Sequence, residues 1–202
     1  MMRLSYLAGA MMLLASAGAV GAQQSSPGDL SAVGHVGVEA TVDGVCKLGP
    51  PSRASIDLGQ MSATSGPRVG RIAALPEQTI TLPGSFCNFG GTKVTVRAEA
   101  MIQPDASVLP AGFARAVNYT STVTTWAATA PQVTTAASAS GATPIAEGSG
   151  GTEPAAKLTD LTLALSAFTV PSDALLIAGN YSGQVTITLG PAATETSPGT
   201  GE

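Results

Sequence analysis

Apolar and polar residues alternate over long stretches of this chain. Across 30–45, Leu30, Ala32, Gly34, Val36, Val38, Ala40 and Val42 share one parity, while Ser31, His35, Glu39, Thr41 and Asp43 hold the other and Val33 is the exception. A period of two turns one face of an extended chain to a core and the other to water, which predicts strand. The run is long beside a usual strand of about 5–6 residues, so it has room for two segments in series. Ala54, Ile56 and Leu58 make a second alternating stretch closed by Gly59, residues 61–71 read as loop, and 79–82 is a short apolar run before Pro83-Gly84. Within 93–101 the division is cleanest: Val94, Val96, Ala98 and Ala100 face one way and Lys93, Thr95, Arg97 and Glu99 the other. A Thr-rich stretch over 114–125 carries Val117, Tyr119 and Val123 at one parity and runs into Trp126.

Residues 136–157 are low-complexity Ala, Ser, Gly, Thr and Pro. They read as an exposed loop rather than a linker, because too little chain follows for a second core. Over 158–167, Leu161, Leu163 and Leu165 share a face; 158–170 also admits a helix, but its Thr content and period of two favour strand. The last strand is 181–189, with Tyr181, Val185, Ile187 and Leu189 on one face, and 190–202 reads as a disordered polar tail. About seven short strands with turn-rich joins predict an all-β antiparallel sandwich.

Composition narrows the function. The chain has 202 residues, for which one domain is the default. Charged residues are 11%, less than half the usual share of about 25%. Nine Lys and Arg and a net charge of −4 exclude a nucleic-acid binder that works by neutralising phosphates. Residues 1–22 have the form of a secretory signal: Arg3 at the start, an apolar run over 7–19, and Val20-Gly21-Ala22 as a small-residue cleavage site. As a membrane anchor the run is short of the roughly 20 residues a span needs, and no later apolar segment of that length supplies a transmembrane stretch in the mature chain. Export bears on Cys46 and Cys87. An even pair in an oxidising compartment is most simply a disulfide, with two buried thiols as the alternative. Closing a loop of that size contributes about 4 kcal/mol in the chain-entropy account.

Catalytic patterns are wanting. His35 is the only histidine, so any Ser-His-Asp triad would have to use it; on the polar parity of its stretch it reads as solvent-facing. The carboxylates Asp57, Glu77, Glu99, Asp105, Asp160 and Asp173 are scattered, and no spacing singles out a glycosidase pair. Gly148 to Gly151 lacks the flanking strand and helix of a phosphate loop, and Asp43-Gly44 lacks the other ligands of a calcium loop. The sequons at Asn118 and Asn180 fall on strand patterns and read as chance. No enzyme activity, cofactor or metal is expected. Trp126 is the one aromatic that could serve as a binding platform, but core packing is its simpler role, and Phe86 and Phe89 are placed to pack on the disulfide.

The order of these pieces resembles a family. An export signal is followed by a short polar lead and an alternating stretch into Cys46; then come Ile56-Asp57-Leu58-Gly59-Gln60, a second Cys 41 positions after the first, and a closing Asn180-Tyr181-Ser182-Gly183-Gln184-Val185-Thr186-Ile187-Thr188-Leu189. This resembles the subunits of chaperone–usher pili, in particular major fimbrial pilins and the related spore-coat-U-like secreted pilins of Gram-negative bacteria. The resemblance covers 30–60, 79–98 and 177–189. It implies an immunoglobulin-like sandwich that lacks its last strand and is completed by donor-strand exchange, the open sheet edge being covered first by a periplasmic chaperone and then by a neighbouring subunit. Head-to-tail donation gives a fibre. Carried onto this sequence, residues 23–38 are an N-terminal extension with a donor strand at about 30–38. Leu30, Ala32, Gly34, Val36 and Val38 would point into the neighbour's groove. The sandwich is 39–189, and the groove lies between its first strand at 40–46 and its last strand with Tyr181, Val185, Ile187 and Leu189. The implied partners are neighbouring pilin subunits, the chaperone and an outer-membrane usher, and the implied site is the periplasm in transit and then the cell surface, in adhesion or biofilm formation. A self-contained exported sandwich that binds glycan or protein at the cell surface is the alternative.

Overall fold

The computed structural model describes residues 33–104 and 108–192. The signal-like 1–22, the donor positions Leu30 and Ala32 and most of the 190–202 tail lie outside the described residues. Contacts divide the chain between Thr41 and Val42. Of the first unit, 33–41 contains no strand and every residue in it is exposed, His35, Gly34, Val36 and Val38 included.

The second unit is all-β and antiparallel but for one short parallel pair. Its strands are β1 (Cys46–Lys47), β2 (Gln78–Cys87), β3 (Thr92–Ile102), β4 (Phe113–Ala114), β5 (Ala116–Thr124), β6 (Gln132–Thr134), β7 (Ala146–Ser149), β8 (Lys157–Thr169), β9 (Leu175–Leu176) and β10 (Ser182–Pro191). Two layers result. One runs β1-β2-β8-β5, with β6 added on β5; the other is built on β3, flanked by β10 and β7. The start of β5 also pairs with the end of β3, Met101 opposite Val117, and so joins the layers. β4 and β9 form the parallel pair.

The core follows from the alternation. Val94, Val96 and Ala98 on β3 meet Ile80 and Leu82 on β2, Tyr119 and Val123 on β5, and Leu161 and Leu163 on β8. Trp126 sits among them at 1% exposure, which settles its role as core. Each such side chain contributes about 1.5–3 kcal/mol by leaving water. A smaller cluster of Ile72, Ala114, Val117 and Val170 packs under β4 and β9. The stretch 158–170 is strand through Thr169, and the predicted strands at 93–101, 114–125 and 181–189 are present with small shifts of boundary.

Four expectations are corrected. Alternation over 30–45 does not give strand anywhere in its described part, and pairing begins only at Cys46; a period of two supplies a face but no partner for the backbone. The stretch 54–58 is not a strand: Ile56 and Leu58 are half-buried and Asp57 is exposed as the pattern demands, but Ala54 lies exposed in a bend. The low-complexity 136–157 is not an exposed loop. It contains β7 and buries Ala137, whose backbone is held on both sides by the Asn118 amide, donating to Ala137 O at 3.0 Å and accepting from Ala137 N at 2.7 Å. The tail also begins later than read, since Gly190 and Pro191 still belong to β10 and Ala192 N donates to Gly91 O at 2.8 Å.

Candidate functional site

One long seam between the layers stands open. β10 pairs along one edge with β3, from Ser182 opposite Ile102 to Pro191 opposite Thr92, and its other edge has no strand partner among the described residues. Facing that edge is the irregular segment 48–58. It is fastened at its start, where Gly49 N donates to Ser85 Oγ at 2.9 Å, and in its middle, where Ser52 N donates to Thr81 O at 2.7 Å and Arg53 Nη2 to Thr79 O at 2.8 Å. Pro50 and Pro51 deny it two backbone donors, and among the described residues no backbone hydrogen bond ties 54–58 to a strand.

Between these walls lies a cavity of about 860 Å³. Its floor is Ile80 and Leu82 from β2, Leu163 and Leu165 from β8, and Tyr119 from β5; Ile56 and Leu58 line one wall and Val185 and Ile187 the other. Val185, Ile187 and Leu189 pack on the core yet stay half-exposed, unlike their partners on β3, which are buried. Tyr181 lines the groove at the start of β10 and donates its hydroxyl to Ile177 O at 2.8 Å. The expected wall at 40–46 is thus replaced by 48–58. Pro50 and Pro51 have no N–H to give a ladder, which disfavours strand pairing at the start of that segment.

Tyr119 fixes the floor. Its hydroxyl donates to Glu99 O at 2.7 Å and reaches Gln184 O at 3.3 Å, so one side chain ties β5 to both β3 and β10. Burial, and then the Glu99 charge, push the phenol up to about 12. β10 bulges between Ser182 and Gln184, and a Cβ on Gly183 would lie 2.8 Å from Glu99 O, so only glycine allows that approach.

Cys46 and Cys87 form a disulfide at the head of the groove wall, opposite one another in the β1–β2 pair. At the other end, Asp173 accepts from Arg68 Nη2 at 2.7 Å and Nη1 at 3.2 Å and from Arg71 Nη1 at 3.2 Å, and Arg71 also donates to Asp173 O. The Arg68 hydrogen bond, helped by both guanidinium charges, holds this carboxyl below its usual range. Lys157 donates to Glu153 Oε2 at 2.9 Å and to Trp126 O, and its ammonium lies 5.9 Å from the Trp126 ring centroid. Of the two sequons, Asn118 is buried and hydrogen-bonded, whereas Asn180 is exposed ahead of β10 rather than on it.

Among the described residues, no group of three His, Cys, Asp or Glu side chains is placed to hold a metal ion, and no helix is long and apolar enough to cross a membrane. Sequence reasoning missed Tyr119 as a tie between layers, the 48–58 wall and the Arg68–Asp173–Arg71 cluster. The first shows only as a Tyr on an apolar parity; the last joins residues about 100 positions apart, with no local signal. Compared with known proteins, the chain matches no family model, no curated protein and no solved structure.

Proposed function

We propose that this chain is a structural subunit of a secreted surface pilus or fimbria, assembled when the 30–38 segment of one copy lies in the groove of the next. The groove carries the reading. It is apolar and strand-shaped, bounded by the free edge of β10 and the unpaired 54–58. A nine-residue donor spans about 30 Å at roughly 3.3 Å per residue, comparable with the ten residues of β10. The same copy offers a matching segment: Val36 and Val38 are 89% and 90% exposed and pair with no strand among the described residues. An inserted strand would bury the half-exposed faces of Val185, Ile187 and Leu189 and give both backbone edges partners. On this reading a periplasmic chaperone covers the groove before a neighbouring subunit does, with an outer-membrane usher as the exit, and the disulfide belongs to an oxidising compartment.

Two exported forms test it: residues 23–202, and a form lacking 23–38 with residues 28–40 appended at its C-terminus through a flexible linker. The expected result is that the first is unstable or forms heat-sensitive ladders, while the second is a stable monomer with a higher melting temperature. A first form that is already a stable monomer, gaining nothing from the appended strand, overturns the proposal.

A further inference from the structure

The groove's two walls meet at one end, where an ionic cluster joins their continuations. Past Leu58, one wall continues through Gly59 to Ser62 and the turn Gly66–Arg68. Before Tyr181, the other comes from the turn Pro171–Asp173 and β9. A second, smaller cavity of about 250 Å³ has Gly59 to Ser62 on one side and 176–179 with Tyr181 on the other, so the continuations face each other directly.

Asp173 ties them together. Its carboxylate takes a fork from Arg68 and a third contact from Arg71, its carbonyl accepts from Arg71, and Leu176 N donates to Gly70 O at 2.8 Å beside it. An isolated exposed ion pair contributes little, but a forked and shared carboxylate is a network. The turn presenting it is itself strained. Ser172 and Asp173 have φ of 55° and 49°, left-handed values that side chains other than glycine's avoid. Such conformations persist where the surroundings over-determine them, and they cluster at clamps. Behind the cluster, Ile72, Val170, Met61, Leu176 and Tyr181 pack together, so a shift of the turn reaches the groove-lining Tyr181.

We propose that Arg68, Arg71 and Asp173 are positioning residues for the groove: they fix the separation of its two walls at the Tyr181 end and thereby set how long an inserted strand stays. This rests on the reading of the groove as a strand acceptor. The cluster touches no inserted residue; it acts through the wall segments on either side.

The test uses residues 39–202, which lack the donor segment so that no second copy can fill the groove, a fluorescent peptide of residues 28–40, and hydrogen exchange read by mass spectrometry. Asp173→Asn is expected to release the peptide about 5-fold faster, since changes at one interface act mostly on dissociation. Without peptide, it speeds amide exchange at 59–62 and 176–183 together. Salt at about 1 M brings wild-type release toward that of the variant and leaves the variant little changed. Ser172→Gly relieves the left-handed strain but keeps the ion pairs, and it releases at the wild-type rate. Unchanged release by Asp173→Asn, exchange confined to 66–73 and 171–175, or equally fast release by Ser172→Gly each overturns the clamp. Should Asp173→Asn not fold, Arg68→Lys keeps the charge but loses the planar fork and is expected to give a smaller acceleration at the same amides; wild-type behaviour in both readouts overturns the clamp. If the wild type takes up no peptide while exchange still rises on both walls, the clamp stands and the strand-acceptor reading falls. If neither occurs, both fall.

Discussion

The two seams between the layers are finished in opposite ways. On the β6–β7 side, backbone packs on backbone. A Cβ on Gly148 would lie 2.7 Å from Val133 Cγ1 and 3.0 Å from Gln132 O, and Gly151 N donates to Thr129 O at 2.9 Å. On the β10 side, large side chains line a cavity and the backbone edges stay apart. The closed seam is built from small residues in a stretch that looked like filler, and the open one from the Val, Ile and Leu expected of a core. Hydrophobicity alone therefore does not show which seam closes. Closure needs backbone partners within about 5 Å, and glycine is what lets β6 and β7 approach.

The comparison can be broken at four points. The largest effect is expected from replacing Cys46 and Cys87 with Ala, which frees the head of the open seam's wall. The chain-entropy account gives a loss of about 4 kcal/mol, read by denaturant unfolding of the oxidised parent and the variant; a loss below about 1 kcal/mol would mean that the Gly49 and Ser52 hydrogen bonds hold the wall unaided. Next, Gly148→Val overfills the closed seam and should cost about 2 kcal/mol.

Tyr119→Phe keeps the ring and removes the hydroxyl that ties β10 to the floor, at a cost of about 1 kcal/mol. Because burial raises this phenol to about 12, the contribution of its neutral form is fully present below an unfolded-state value of about 10 and is lost between there and the folded value. Tyrosinate absorbance of this residue should rise together with loss of β circular dichroism, and ionisation of Tyr119 near pH 10 with the fold intact would refute it. The smallest effect is expected from Val185→Leu, which adds a methylene to the open seam and should change stability by no more than about 0.5 kcal/mol. If it destabilises as much as Gly148→Val, the two seams are packed alike and the contrast is lost.

Much of the fold was legible where alternation is strict and a neighbour exists. β3 shows this best: Val94, Val96, Ala98 and Ala100 are buried and Arg97 and Glu99 exposed. The same periodicity misled over 33–45, because a half-apolar strand needs a second strand to hold it and the described chain provides none there. β7 was hidden because Gly148 and Ser149 have poor strand propensity and are held by tertiary packing instead. At the groove, Val185 and Ile187 were readable as an inward face, whereas 48–58 as the opposing wall depends on how closely Gly49 seats against Pro83 and Ser85 of β2, which no local pattern announces. The Arg68–Asp173–Arg71 cluster depends on a turn in a left-handed conformation that no residue type there announces.

Trp126 gives the molecule a built-in optical probe. It is the sole tryptophan, it is sealed in the core beneath Lys157, and it is not among the side chains lining the groove. Its emission in the folded chain is therefore that of an indole out of water, at short wavelength and shielded from iodide. Unfolding shifts it to the red. Filling the groove should leave it nearly unchanged, so a single fluorescence spectrum separates a chain that has lost its fold from one whose groove is occupied.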